Sequence, residues 1–399
     1  MNDTLRILYH HRIRADDGQA VHVRELVGAL RAAGHDVHEC ALVPKTGGAR
    51  PAPAVAAQAA AKPGFWQRLS LPRAAVEVLE ILYNGKGRSM LRAAARTQRP
   101  HCIYERHALH CRAGLDVARE LGVPLLLEVN SPMVDEMQQL GSLCYSRRAR
   151  ATERLVLGNA DAVLAVTQVL GDMLVERGAR RERVHVIGNG AVPERYDAAA
   201  RAAAPALRAR WGLGERAFAL GFVGYMRPWH RLDLVLDAML RPELADLVLV
   251  LIGRGPALVP LQARAQQLDL SARVKVLGEV PADLLPAHLF ACDGALIPAI
   301  NAYASPLKLF DSLAAGVPTL APDQPNLRES IVHGDNGLLF RPGDPEDLAR
   351  QLIALVQDRA FAKRLGAAGA RTLHERRWTW AGNADRVVAI ARALGRGGA

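Results

Sequence analysis

Twice along this 399-residue chain, short apolar runs alternate with segments whose apolar residues recur at helical spacing. Such alternation commits a chain to parallel sheets covered by helices, because parallel neighbours can be joined only through a crossover. The first series places strands at residues 5–9, 37–43, 101–104, 124–129, 162–166 and 184–187. Helical spacing at 21–31, closed near Gly34, completes a strand–loop–helix–strand opening of doubly wound type. Composition shifts at 197–213, DAAARAAAPALRARWGL, which reads as a hinge and connecting helix before a second series starts at Phe218. Its strands fall at 220–223, 247–252, 274–277, 294–297 and 317–321, with helices at 232–240, 258–267 and 282–291. After residues 337–340 three helices finish the chain, with Trp378 and Trp380 near the start of the last as packing anchors. A single hydrophobic core rarely grows to this size, so two domains are expected.

Charge and cysteine usage narrow the setting. The five cysteines, Cys40, Cys102, Cys111, Cys144 and Cys292, are scattered without paired metal-ligand spacing, which fits buried thiols in a reducing compartment. The opening MNDTLRILYHH has no secretory apolar core, and no apolar run approaches bilayer-spanning length. A cytoplasmic protein is therefore expected. The formal net charge of +11 calls for an anionic partner. Nucleic acid is not expected, since the arginines are dispersed and lack interleaved aromatics or a zinc-finger or helix-turn-helix signature. Anionic headgroups or a diphosphate-bearing substrate fit better.

The densest chemistry lies in YASPLKLFDSLAAGVPTLAP, residues 303–322. Ser305 suits a helix N-cap, Pro306 the first helical position and Gly316 the stop. Lys308 then falls in the first turn, where the helix dipole disfavours a cation by roughly 0.3–1 kcal/mol. A cation belongs there if an anion docks on the same helix end. Asp311, three residues on, shares that face and can accept from a ligand's hydroxyls; a solvated Lys308–Asp311 pair is the plainer alternative.

Other candidates sit where strands end. In a doubly wound sheet, the ligand crevice lies beyond the strands' carboxyl ends. Gly18 follows the first strand, Glu105, Arg106 and His107 follow the third, and Asn130 follows LLLEV in the fourth. Turn geometry would equally explain Gly18, and salt bridges the charged trio. Residues 46–62, rich in Ala, Pro and Gly, read as a flexible loop. The following stretch from Gly64 mixes Phe65, Trp66, Leu69 and Leu71 with basic residues, suited to a membrane surface or an amphipathic acceptor, or to ordinary packing on the sheet.

Five pieces of the second half now stand in a telling order: GFVGYMRPWHRLDLVLDAM (221–239), LIGRGPAL (251–258), VKVLGEVP (274–281), SPLKLFDSLAAGVPTLAP (305–322) and HGDNGLLFRPGD (333–344). Together with the ILYHH…DGQAVHVRELVGALRAAGHDV opening and NGAVPERYD at 189–197, they resemble family 4 of the retaining glycosyltransferases across nearly the whole chain. The resemblance implies the α/β GT-B architecture, two Rossmann-like doubly wound domains facing each other across a cleft. It divides the chain into an acceptor-binding domain at 1–195 and a nucleotide-sugar-binding domain at 196–378, with a helix at 379–399 crossing back onto the first.

By that resemblance, Arg227, His230 and Lys308 neutralise the leaving diphosphate, and no metal or other cofactor is needed. Gly253, Gly255, Tyr303, Ser305, Pro306 and Asp311, with Gly18, line the donor, while Glu105, Arg106, His107 and Trp66 lie on the acceptor side. Three positions depart from the family pattern. Tyr303 replaces a carboxylate, His230 replaces a lysine, and Asn130, counted with the catalytic residues, stands where many relatives have a histidine; it cannot shuttle a proton and could only orient the acceptor or stabilise charge. The implied activity is transfer, with retention, of a sugar from a nucleoside diphosphate to a glycan or lipid-linked acceptor in envelope or exopolysaccharide assembly, on the inner face of the membrane. A sugar-nucleotide epimerase and a non-catalytic nucleotide-sugar-binding subunit are the alternatives.

Overall fold

The computed structural model describes residues 4–46 and 72–396. Trp66 and most of the Ala/Pro/Gly-rich stretch fall outside them. The chain divides into two compact units, Met1–Gly188 with Ala381–Ala399, and Asn189–Trp380. Each is built on one six-stranded parallel sheet.

In the first unit the strands are β1 (Arg6–His11), β2 (Asp36–Ala41), β3 (Cys102–Arg106), β4 (Leu125–Val129), β5 (Ala162–Ala165) and β6 (Val184–Val186). Their order is β2-β1-β3-β4-β5-β6, so the winding reverses between β1 and β3. Helices α1 (Gly18–Ala32), α2 (Arg73–Gln98) and α3 (Ala113–Leu121) belong to this unit. Asp17 caps α1 by accepting from the Gln19 N–H at 2.9 Å, which makes Gly18 the first helical residue.

The second unit carries β7 (Phe218–Val223), β8 (Leu247–Ile252), β9 (Val274–Gly278), β10 (Gly294–Leu296), β11 (Thr319–Pro322) and β12 (Leu338–Phe340). The order β12-β11-β10-β7-β8-β9 is that of a dinucleotide-binding fold, with its switch point between β7 and β10. Every residue of β8, LVLVLI, is buried, as a parallel strand covered on both faces requires. Phe218, Phe222, Leu249, Leu251 and Phe340 anchor the main core.

Three local expectations change. Residues 197–213 form two short helices, Ala198–Ala202 and Ala204–Arg210, because Pro205 lacks an N–H and starts a new helix. β3 runs on through Arg106, so Glu105 and Arg106 lie within the sheet and are buried. Ser305 does not cap the Leu307–Ala315 helix; Pro306 occupies the cap position in extended conformation, and Ser305 accepts through Oγ from the Asn189 N–H at 3.1 Å. Gly316 closes that helix at φ 65°, as expected. The Arg359–Glu375 helix packs against it through Gly366, where a Cβ would come within 2.0 Å of the Gly316 carbonyl oxygen.

Candidate functional site

The reversal between β7 and β10 brings two segments together in the second unit. The loop after β7 carries Gly224 to His230, and the segment after β10 leads into the Leu307–Ala315 helix. Lys308 reaches across: a Cβ on Gly224 would lie 3.5 Å from its Nζ, and the Nζ sits 3.8 Å from the Phe222 ring centroid. The helix N-terminus has no side-chain cap among the described residues, so its N–H groups complement the ammonium toward an anion.

Three nominal cations meet here with unequal charge. Arg227 is exposed, its guanidinium 5.1 Å from the Tyr225 ring centroid. Burial lowers Lys308 from 10.5 to about 7. A cation–π contact contributes roughly 0.5–2 kcal/mol in the opposite sense, and burial wins. His230 is buried, and burial first, then Lys308 and Arg227, lowers it to about 3. Its Nδ1 accepts from the Arg227 N–H at 3.0 Å, so the neutral ring carries its proton on Nε2 and donates there. His230 is thus a hydrogen-bond donor at neutral pH rather than a second charge. The site therefore combines an exposed guanidinium, a lysine whose hold on its proton burial weakens and a neutral imidazole.

Gly253 and Gly255 hold the loop after β7 in place. Both have positive φ, 130° and 153°, and a Cβ would lie 2.2 Å from the Gly224 and Met226 carbonyl oxygens respectively. Met226 N–H donates to the Arg254 carbonyl at 2.7 Å, locking the two loops together. The close approach that demands glycine is therefore met inside the unit by backbone.

The remaining candidates of this unit are tied to neighbours. Asn189 donates through Nδ2 to the Ser305 carbonyl at 2.6 Å, so the start of the unit clamps the approach to Lys308. Asn301 donates to the Tyr303 hydroxyl at 2.8 Å. Asp311 accepts from the Tyr196 hydroxyl at 2.8 Å. Tyr196→Phe removes that donor and is expected to lower stability by about 1–3 kcal/mol, read as a fall of a few degrees in Tm; an unchanged Tm would mean the bond contributes nothing.

In the first unit, neighbouring residues of β3 part to opposite faces. Glu105 accepts from the Gly114 N–H at 2.7 Å, which caps α3, and lies 2.5 Å from His10 Nδ1. At 1% exposed it is out of an acceptor's reach. His10, Glu105 and Cys111 place ligand-type atoms within 4.8 Å of one another, but Tyr83 at 2.9 Å and Gly114 already engage His10 and Glu105. Arg106, also buried, pairs with Glu128. His107 is half-buried, and burial lowers it to about 4, so it is neutral. Gly18 starts α1 and Asn130 follows β4.

Glu128 is the residue that motif reading passes over. It accepts from the Tyr104 hydroxyl at 2.8 Å and the Tyr9 hydroxyl at 3.3 Å, lies 3.1 Å from His22 Nε2, and also engages Arg106 and Asn130. Burial raises its carboxyl, but His22 and Arg106 outweigh this and hold it well below the usual range. An acid inside the otherwise apolar LLLEV is the available signal. All five cysteines are free, four of them buried, and no described helix is long and apolar enough to cross a membrane.

Comparison with known proteins points one way. Residues 204–372 match the profile described as glycosyl transferases group 1, and residues 17–190 match the glycosyl transferase 4-like domain. A D-inositol 3-phosphate glycosyltransferase of Catenulispora acidiphila is 30% identical over 312 residues, 74% of this chain and 73% of that one. One of Nocardia farcinica is 32% identical over 246 residues, 59% and 53% of the two chains, so this match spans only about half of that relative. The fold matches sucrose-phosphate synthase from Thermosynechococcus elongatus, TM-score 0.76 at 19% identity over 98% of this chain and 99% of that one. It also matches Anabaena HepE in complex with UDP-glucose, TM-score 0.68 at 18% identity over 98% and 100%.

Proposed function

The chain belongs to the group 1, 4-like glycosyltransferases of GT-B fold, and on that premise we propose that it transfers a sugar from a nucleoside diphosphate to a hydroxyl acceptor with retention at the anomeric carbon. The observation that carries this reading is the meeting of Arg227, neutral His230, Lys308 and an uncapped helix N-terminus at the β7–β10 switch point. That arrangement suits a diphosphate, whose negative charge grows as the bond from the anomeric carbon to phosphate oxygen breaks. The acceptor oxygen bonds to the same face of that carbon, and its proton passes to the departing phosphate oxygen. Two cationic side chains and helix N–H groups supply the charge stabilisation, so transfer should survive a chelator. Asp311 and Tyr303 border the donor.

HepE in complex with UDP-glucose supports UDP-glucose as the first probe, and the D-inositol 3-phosphate relatives support a polyol acceptor, free or within a glycan or lipid. An exposed face on α2, Val78, Leu79 and Leu82, together with the net charge of +11, supports peripheral contact with an anionic cytoplasmic membrane surface in envelope or exopolysaccharide assembly.

The decisive experiment is calorimetric titration with nucleotide sugars, with and without chelator, followed by product analysis with an acceptor panel. Because Lys308 titrates at about 7 and pairs best when charged, donor binding is expected to take up a proton above that pH. Affinity should weaken as pH rises past 7, by up to about tenfold per unit, with an enthalpy that varies with buffer ionisation. An arginine keeps its charge throughout that range, and His230, at about 3, stays neutral. A flat profile from pH 6 to 9 would remove Lys308 from the donor site, and binding without transfer to any acceptor would defeat the transferase reading.

A further inference from the structure

The buried carboxylate of Glu128 decides which way the amide of Asn130 faces. Glu128 is 2% exposed, lies within β4 and is held ionised among Arg106, His22 and two tyrosine hydroxyls. An ionised carboxylate has only lone pairs to offer, so its contact with Asn130 must use the Asn130 NH2. With one N–H turned to Glu128, the amide oxygen is the acceptor that half-buried Asn130, at the carboxyl end of β4, directs away from this cluster. That end of a doubly wound sheet is where ligands bind.

We propose that Glu128 is a positioning residue that orients Asn130 with its amide oxygen toward the acceptor, so that the acceptor group bound there is a hydrogen-bond donor such as a polyol hydroxyl and not a carboxylate or phosphate oxygen. The inference rests on the transferase reading above. Reversing the amide would present NH2 instead, which favours an anionic oxygen and turns away a hydroxyl's proton. A purely structural Glu128 would tie β3 to β4 through Arg106 and the tyrosine hydroxyls without affecting acceptor kinetics, and that difference is measurable.

The test is a swap. In Glu128→Gln the new carboxamide can donate to the Asn130 oxygen and reverse it. In Asn130→Asp two carboxylates confront each other. In the double variant the carboxamide introduced at position 128 would donate to one carboxylate oxygen at position 130 and leave the other facing outward, which restores an acceptor atom. With UDP-glucose as donor, and D-inositol 3-phosphate and water as probe acceptors, kcat/KM for the acceptor should fall at least about tenfold in each single variant. It should return to within about threefold of wild type in the double, while the KM for UDP-glucose moves less than about twofold throughout. Additive loss in the double variant would overturn the proposal, as would a wild-type rate in Asn130→Ala, which removes the oxygen and remains informative if Glu128→Gln fails to fold. A second readout needs no acceptor: the Asn130 side-chain amide signal in nitrogen-15 spectra, assigned by its loss in Asn130→Ala. Its solvent exchange should be slowed in wild type and fast in Glu128→Gln; fast exchange in wild type would overturn the orientation. If wild type turns over UDP-glucose with neither acceptor, the same comparison is made with the donor and acceptor found in the panel, and if the panel yields no transfer the transferase reading falls and this one with it. If wild type turns over and the double variant alone stays inactive, only the orientation falls.

Discussion

Replacing Lys308 by Met should abolish binding of nucleotide sugar and at the same time raise the melting temperature of the ligand-free protein. The first half follows from removing the ammonium that the proposed function sets against the diphosphate at the helix N-terminus. The second follows from linkage. Burial lowers Lys308 from 10.5 to about 7, so the unfolded chain holds that proton more tightly than the folded one. Wild-type stability therefore carries a penalty that is full below pH 7, shrinks between about 7 and 10.5, and vanishes above. Met has no proton to lose and no charge to bury, and its length suits the space beside Phe222. The gain should be on the order of 1–3 kcal/mol at pH 6, a few degrees in Tm, and should disappear near pH 10.5. Scanning calorimetry at both pH values, with a UDP-glucose titration at pH 7, checks both halves. A variant less stable than wild type at pH 6 would show that the ammonium is not strained by burial. Such a trade, stability given up where a site must meet its ligand, is the expected pattern at binding residues.

Gly253→Ala should be among the most damaging single methyls in the second unit, with Gly255 and Gly366. Its φ of 130° is one that side chains rarely adopt, and the added carbon would lie 2.2 Å from the Gly224 carbonyl oxygen. Neither problem is relieved by a rotamer change, because both involve backbone. The loop that would have to move carries Arg227 and His230, and it borders Lys308. A loss of roughly 3–5 kcal/mol is expected, enough to lower Tm by ten degrees or more and to erase donor binding. Gly212→Ala separates the two causes. Gly212 has φ 69° with nothing within 4 Å of an added methyl, so it should cost only about 1 kcal/mol. Similar losses at both positions would mean that backbone strain alone matters and that the loop contact is loose.

Much of the site is legible in the sequence because its chemistry is local in the chain. Lys308 stands out from the helix signals around it, since Pro306 and Gly316 set the helix ends and a cation in a first turn calls for an anion. Arg227 and His230 stand out through the motif after β7. Their states are not legible. Whether His230 is a cation depends on Phe222 and Trp229 packed around it and on a backbone N–H that only the folded loop presents to Nδ1. Composition favours Ser305 as a cap, but Asn189, 116 residues away, has the stronger claim on its hydroxyl. Glu105 reads as a crevice residue only if its strand ends at Tyr104; the pleat continues and places it beneath α3.

By itself the amino-acid order determined the alternation of strands and helices, the two parallel sheets, the family and the candidates for a diphosphate site. These are read from periodicity, turn residues and short motifs, each carried by neighbours in the chain. Only the tertiary structure decided charge, orientation and reach: Lys308 lowered to about 7, His230 neutral, Glu105 withdrawn into a helix cap and Glu128 at the centre of a buried cluster. Those properties come from burial and from partners distant in sequence, and desolvation energy has no counterpart in a linear string of residues.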